Sequence, residues 1–167
     1  MVQDSYITLY HDNKALYQVD KPLWWEERHA EALNLLQNKE VESFKDAYTL
    51  DYGINVRRIK FSGDPFSLFR CDIPGLATSN YLVLNDSFYS QVENPNLPEG
   101  VVICSLSKAL KEHADLIKPY LLQNNISTAD MAFNAALAQD GMFIYIPDGV
   151  QLEKPIQLVN LMYGKVD

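Results

Sequence analysis

The stretch DGMFIYIPDGVQLEKPIQLVNLMYGKVD, residues 140–167, decides how the fold is read. Apolar side chains fall at Ile144, Val150, Ile156 and Met162, each six residues after the last, and a second series, Ile146, Leu152 and Leu158, runs two places behind. Side chains of a strand alternate between its faces, so an apolar–x–apolar triplet is a short strand that sends two side chains inward. The three residues left in each hexad must turn a corner, and Pro147-Asp148-Gly149 and Glu153-Lys154-Pro155 carry turn chemistry. The pattern predicts strands at 142–146, 150–153 and 156–162 with an inward aliphatic ladder, the first coil of a parallel β-helix. A pair of strands closing an ordinary α+β domain is the other reading that the period leaves open. Left-handed hexapeptide helices want a small residue after each inward aliphatic. Tyr145, Gln151, Gln157 and Tyr163 stand there instead, which counts against an acyltransferase of that class.

Working back toward the N-terminus, Asp140-Gly141 closes a helix expected at 128–138. Another is expected at 107–121, capped by Ser107, with Leu110, Ile117 and Leu121 on one face and Pro119 bending it. The middle of the chain reads as strands at 56–61, 67–72, 80–84 and 101–104. They are separated by Gly63-Asp64-Pro65, Pro74-Gly75 and the link ENPNLPEG, residues 93–100. The first third is helical. Tyr6, Leu9, Tyr10, Leu16 and Tyr17 share one face. A second helix over 20–38 is signalled by Asp20 as cap, Pro22 in the first turn, and Glu26 and Glu27 at the positive end of the dipole. Leu23, Ala30, Leu33 and Leu36 form its expected apolar stripe. The fold class is therefore α+β: a helical and α/β domain over 1–140, leading into the first β-helix strands over 141–167.

Composition narrows the function. The 167 residues carry a formal net charge of −8, and their one compact basic cluster, Arg57, Arg58 and Lys60, is too small to offset it. Nucleic acid is disfavoured as a partner. MVQDSYITLYHDN at the N-terminus lacks a basic segment followed by an apolar core, and no apolar run reaches the roughly 20 residues of a spanning helix. No membrane partner is expected. Two cysteines, Cys71 and Cys104, form neither a disulfide framework nor a metal-ligand pair, and the expected compartment is the cytoplasm.

The chain carries none of the motifs G-x-x-x-x-G-K-[ST], G-x-S-x-G or His-Glu-x-x-His. Cys71 and Cys104 sit alone on separate expected strands, where cysteine usually packs as a small apolar side chain. His113 stands beside Glu112 and near Asp115 on a helix, and His11 and His29 have no ligand pattern around them. Of Trp24 and Trp25, one is expected in the core and the other partly exposed. No catalytic, cofactor-binding or metal-binding residue is assigned.

Three stretches together carry a resemblance. LPEGVVICSLSKALKEHADLIKPYL (97–121), AFNAALAQDGMFIYIPDGVQLEKPIQLVN (132–160) and residues 50–90 resemble the SufB/SufD family of iron–sulfur cluster assembly scaffolds, on its SufD side. The match departs at EVESFKDAYTL, residues 40–50, where family members carry a longer acidic–aromatic–basic segment. The resemblance implies a right-handed parallel β-helix core followed by a helical region, of which this chain holds only the beginning. It implies a non-catalytic scaffold subunit of a SufBCD-type complex, partnered by a SufB-like subunit and a SufC-like ABC-type ATPase. It also implies a sulfur supply from a cysteine desulfurase system. The iron–sulfur cluster would be cargo of the whole complex, with no cofactor in this chain. Family residues tied to sulfur transfer lie in the β-helix and beyond, so none is carried over. The alternatives are a β-helix enzyme acting on a carbohydrate or acyl substrate, and a generic protein-interaction module. An open β-helix edge also predicts a homodimer through residues 142–163.

Overall fold

A computed structural model describes residues 7–8, 10–12, 14–15, 21–38, 64–67, 74–90, 96–123 and 125–161. The strand expected at 56–61, most of that at 67–72, the Arg57–Arg58–Lys60 cluster, Cys71, segment 40–50 and Met162–Asp167 lie outside the described residues. Ser67, the described start of the second of these strands, ends a 3-10 turn over Pro65–Ser67. The chain forms two units, one from residues 1–56 and 107–139, the other from 57–106 and 140–167.

In the first unit, the described residues between 7 and 15 are helical. Helix α1 spans Leu23–Gln37. Its cap is Pro22, whose extended backbone leaves its carbonyl to accept from the amides of Trp25 and Glu26 at 2.9 and 3.3 Å. The buried stripe is Trp25, His29, Ala32, Leu33 and Leu36, a 3.6-residue spacing. Leu23, expected on that stripe, is 70% exposed, and Ala30 is exposed too. Leu23 lies two residues, or about 200°, around the helix from Trp25, and the larger indole takes the interior.

The single helix expected at 107–121 is two: α2, Leu106–Glu112, and α3, Ala114–Gln123. They break at His113, whose carbonyl accepts from the amides of both Leu116 and Ile117. The apolar face continues across the break, with Leu110 and Ile117 buried, which is why periodicity alone misses it. Ser107 lies inside α2, one residue past its start, and its Oγ accepts from Lys21 Nζ. Pro119 is accommodated within α3. Helix α4, Ala129–Leu137, starts at Thr128, whose Oγ1 accepts from Met131 N at 3.3 Å. Its Ala129, Ala132 and Ala136 pack against Ala32, Leu33, Leu36 and Tyr10. Three methyls in a row let α1 and α4 approach closely.

The second unit holds two sheets. In the first, β1 (Ser79–Leu84) and β2 (Ser87–Ser90) form a hairpin. Asn85 and Asp86 both take positive φ at its tip, as a type I′ turn needs. In the second, β3 (Val102–Ser105) pairs antiparallel with β4 (Met142–Tyr145). Strand β5, Ile156–Leu161, then pairs in parallel with β1, Ser79 opposite Ile156 through Leu84 opposite Leu161, so the first sheet runs β2-β1-β5.

Of the three strands expected from the hexads, two form, and residues 150–153 are not a strand. The two that form join different sheets. Their aliphatics are not an inward ladder: Ile144, Ile146 and Leu158 are 40%, 41% and 49% exposed. A period of six fixes where corners fall; which face is covered depends on β1 and β3, strands far earlier in the chain.

Candidate functional site

The site is built around the β1–β5 pair. Thr78 Oγ1 lies 2.8 Å from Asn80 Oδ1 and 2.9 Å from Gln157 Oε1, so one hydroxyl ties together two amides that are register partners. Two bonds bracket the ladder, Ser79 N to Pro155 O at 2.9 Å and Asn85 N to Leu161 O at 3.1 Å. In a parallel ladder alternate residues bond to opposite sides. Pro155, Gln157, Val159 and Leu161 therefore use their backbone groups on β1, and those of Ile156, Leu158 and Asn160 face the free edge of the sheet.

Beside this pair lies a cleft of about 520 Å³. Ser79 and Tyr81 of β1, Ile156 of β5 and Ile103 of β3 form its walls, and segments 96–98 and 152–154 close its ends. Tyr81 is 2% exposed, its ring stacks on Phe88 at 5.8 Å, and burial pushes its hydroxyl pKa up. Glu153 and Lys154 are exposed at the rim. The lining suits an apolar group with a polar tip. Among the described residues, its lining includes no paired carboxylates, histidine or cysteine for acid–base or nucleophilic work.

Two matched turns lie in the same unit as the cleft, and Pro98 of the first lines it. Val101 N bonds Pro98 O at 3.1 Å and Val150 N bonds Pro147 O at 3.2 Å, each closing a Pro-x-Gly turn. Gly100 and Gly149 both sit at φ +79°, where the third residue of such a turn belongs. A Cβ on Gly100 would lie 2.9 Å from Pro147 Cγ, so the two turns touch at the one place where a side chain is not tolerated.

The residues weighed from sequence are scattered. Cys104 is a buried cysteine on β3, opposite Phe143. His113 marks the α2–α3 break, and His11 Nε2 lies 3.2 Å from Gln37 Nε2. Trp25 is 5% exposed and Trp24 partly exposed, as expected of the pair. His29, passed over as lacking a pattern, is 2% exposed in the core; its place four residues after Trp25 was the available signal. Among the described residues no three His, Cys, Asp or Glu side chains cluster as metal ligands, and no helix is long and apolar enough to cross a membrane.

The described residues form an α+β chain, with helices in one unit and short strands, one pair of them parallel, in the other. The chain belongs to the SufBD protein N-terminal region family, whose sequence pattern matches residues 1–158. It is 46% identical over 56 residues to an iron–sulfur cluster assembly SufBD family protein of Synechocystis, covering 32% of this chain and 12% of that protein. The iron–sulfur cluster assembly protein SufD of Bacillus subtilis is 34% identical over 64 residues, 36% of this chain and 15% of the relative. A chloroplastic SufBD family protein of Arabidopsis thaliana is 41% identical over 61 residues, 34% and 11%. The matched part thus spans a small fraction of each relative's length. No solved structure matches the chain.

Proposed function

We propose that this chain is the N-terminal docking and assembly region of a SufD-like, non-catalytic scaffold subunit that works in iron–sulfur cluster assembly in the cytoplasm. The observation that carries the reading is the in-register parallel pairing of β1 with β5 in a chain of this family. Parallel strands far apart in sequence and paired in register are the repeating contact of a parallel β-helix, and β5 offers a next strand the backbone groups of Ile156, Leu158 and Asn160. On this reading β1–β5 is the first rung of a right-handed β-helix whose further coils meet a SufB-like subunit, and a SufC-like ABC-type ATPase joins the complex. The cluster is cargo: the described residues supply structure, and iron and sulfide are held elsewhere in the assembly. Tagged protein isolated from its host is expected to bring down an ABC-type ATPase subunit and a second SufB/SufD-type subunit, identified by mass. Recovery of neither, from cells that express both, would overturn the reading.

A further inference from the structure

The buried stripe of α1 contains one titratable side chain. His29 is 2% exposed, and among the described residues its Nε2 has no hydrogen-bond partner; Nε1 of the adjacent Trp25 is buried without one too. The two rings lie 5.0 Å apart, tilted by 57°. Lys21, held to Ser107 of α2, brings a positive charge to bear on the imidazole. Other charges near this end of the helix are engaged elsewhere. Glu26 acts on Tyr10, Arg28 pairs with Glu31 at 3.0 Å, Lys118 of α3 lies over the Trp24 ring, and Asp130 in the first turn of α4 is exposed.

A neutral imidazole is tolerable in such a place. An imidazolium would be a buried charge with no acceptor, facing a like charge. We propose that His29 is an acid-operated latch of the first unit: its neutral ring keeps the N-terminal half of α1 seated, and a proton on the ring unseats it together with Trp25. The latch does not depend on a role in cluster assembly. Burial, and then the Lys21 charge, lower the His29 pKa from 6.5 to about 4. Between those values the unfolded chain binds a proton that the folded chain does not. Stability is therefore fully present above 6.5, falls as the pH drops toward 4, and stops falling below it.

The test compares the full chain with His29→Gln, which cannot take up the proton, reading the folded-to-unfolded ratio by urea titration from pH 7 to 4. The unaltered chain should lose a factor on the order of 100 more than the variant over that range. Its Trp25 indole N–H resonance should move as the pH approaches about 4, where the folded ring takes up the proton, and in His29→Gln it should stay put. His29→Phe, which fills the site with an apolar ring, serves as a second comparison if the glutamine variant does not fold at neutral pH. Matching pH profiles in the unaltered chain and the variant, or a His29 ring that titrates near 6.5 while the Trp25 signal is unmoved, would overturn the proposal.

Discussion

Gly100 should be the most demanding glycine among those the structure describes. Two costs meet there. An L-residue at φ +79° costs roughly 1–2 kcal/mol. A Cβ 2.9 Å from Pro147 Cγ adds overpacking of roughly 1–3 kcal/mol, because a proline ring has little freedom to move aside. Gly100→Ala should therefore destabilise the second unit by about 2–5 kcal/mol. Gly149 has the same φ but nothing within 4 Å of its virtual Cβ, so Gly149→Ala should cost only about 1–2 kcal/mol. Gly141, with ordinary φ and open space, should tolerate alanine within roughly 0.5 kcal/mol. Both tryptophans lie in the first unit, so the readout should be amide hydrogen exchange along the β1–β5 ladder, which reports the second unit alone. A double variant, Gly100→Ala with Pro147→Ala, removes the clashing Cγ and should recover the overpacking part as a coupling of roughly 1–3 kcal/mol. Equal losses at Gly100 and Gly149, with no coupling to Pro147, would show that the two turns do not touch as described.

In the first unit, Leu33→Ala should cost about 2–5 kcal/mol by tryptophan-monitored urea unfolding. Glu31→Ala, which gives up only an exposed pair with Arg28, should stay within about 0.5 kcal/mol. Similar losses at the two positions would mean that the buried face of α1 is wrongly assigned. At the free edge of β5, Leu158→Lys places a charge on a half-exposed position without emptying the core. The unaltered chain is expected to sediment as a dimer at high concentration and the variant as a monomer with unchanged circular dichroism; a monomeric unaltered chain would remove self-association through this edge.

How much of this was legible beforehand follows the range of the forces involved. Local physics was readable. The Thr128 start of α4, β1, β3 and the α1 stripe at Leu33 and Leu36 follow from capping, alternation and helical period, all of which act within a few residues. The corners at Pro147-Asp148-Gly149 and Glu153-Lys154-Pro155 were readable for the same reason. The α2–α3 break was not, because Leu110 and Ile117 keep one apolar face across His113. Leu23 and Trp25 were equally good apolar candidates for the α1 interior until packing chose the indole. His29 was harder to read: its place four residues after Trp25 puts it on the buried face, but an imidazole carries no apolar signal of its own.

By itself the sequence determined that this is an acidic α+β chain with hexad-spaced corners near its end, and its joint motifs carried the family. Tertiary structure alone decided that β4 turns back on β3 while β5 runs beside β1. It alone placed Gly100 against Pro147, and it alone left Ile144, Ile146 and Leu158 exposed while His29 was buried. Corners, caps and stripes are set by neighbours along the chain. Strand partners and burial are set by contacts between segments far apart along the chain, which no local period encodes.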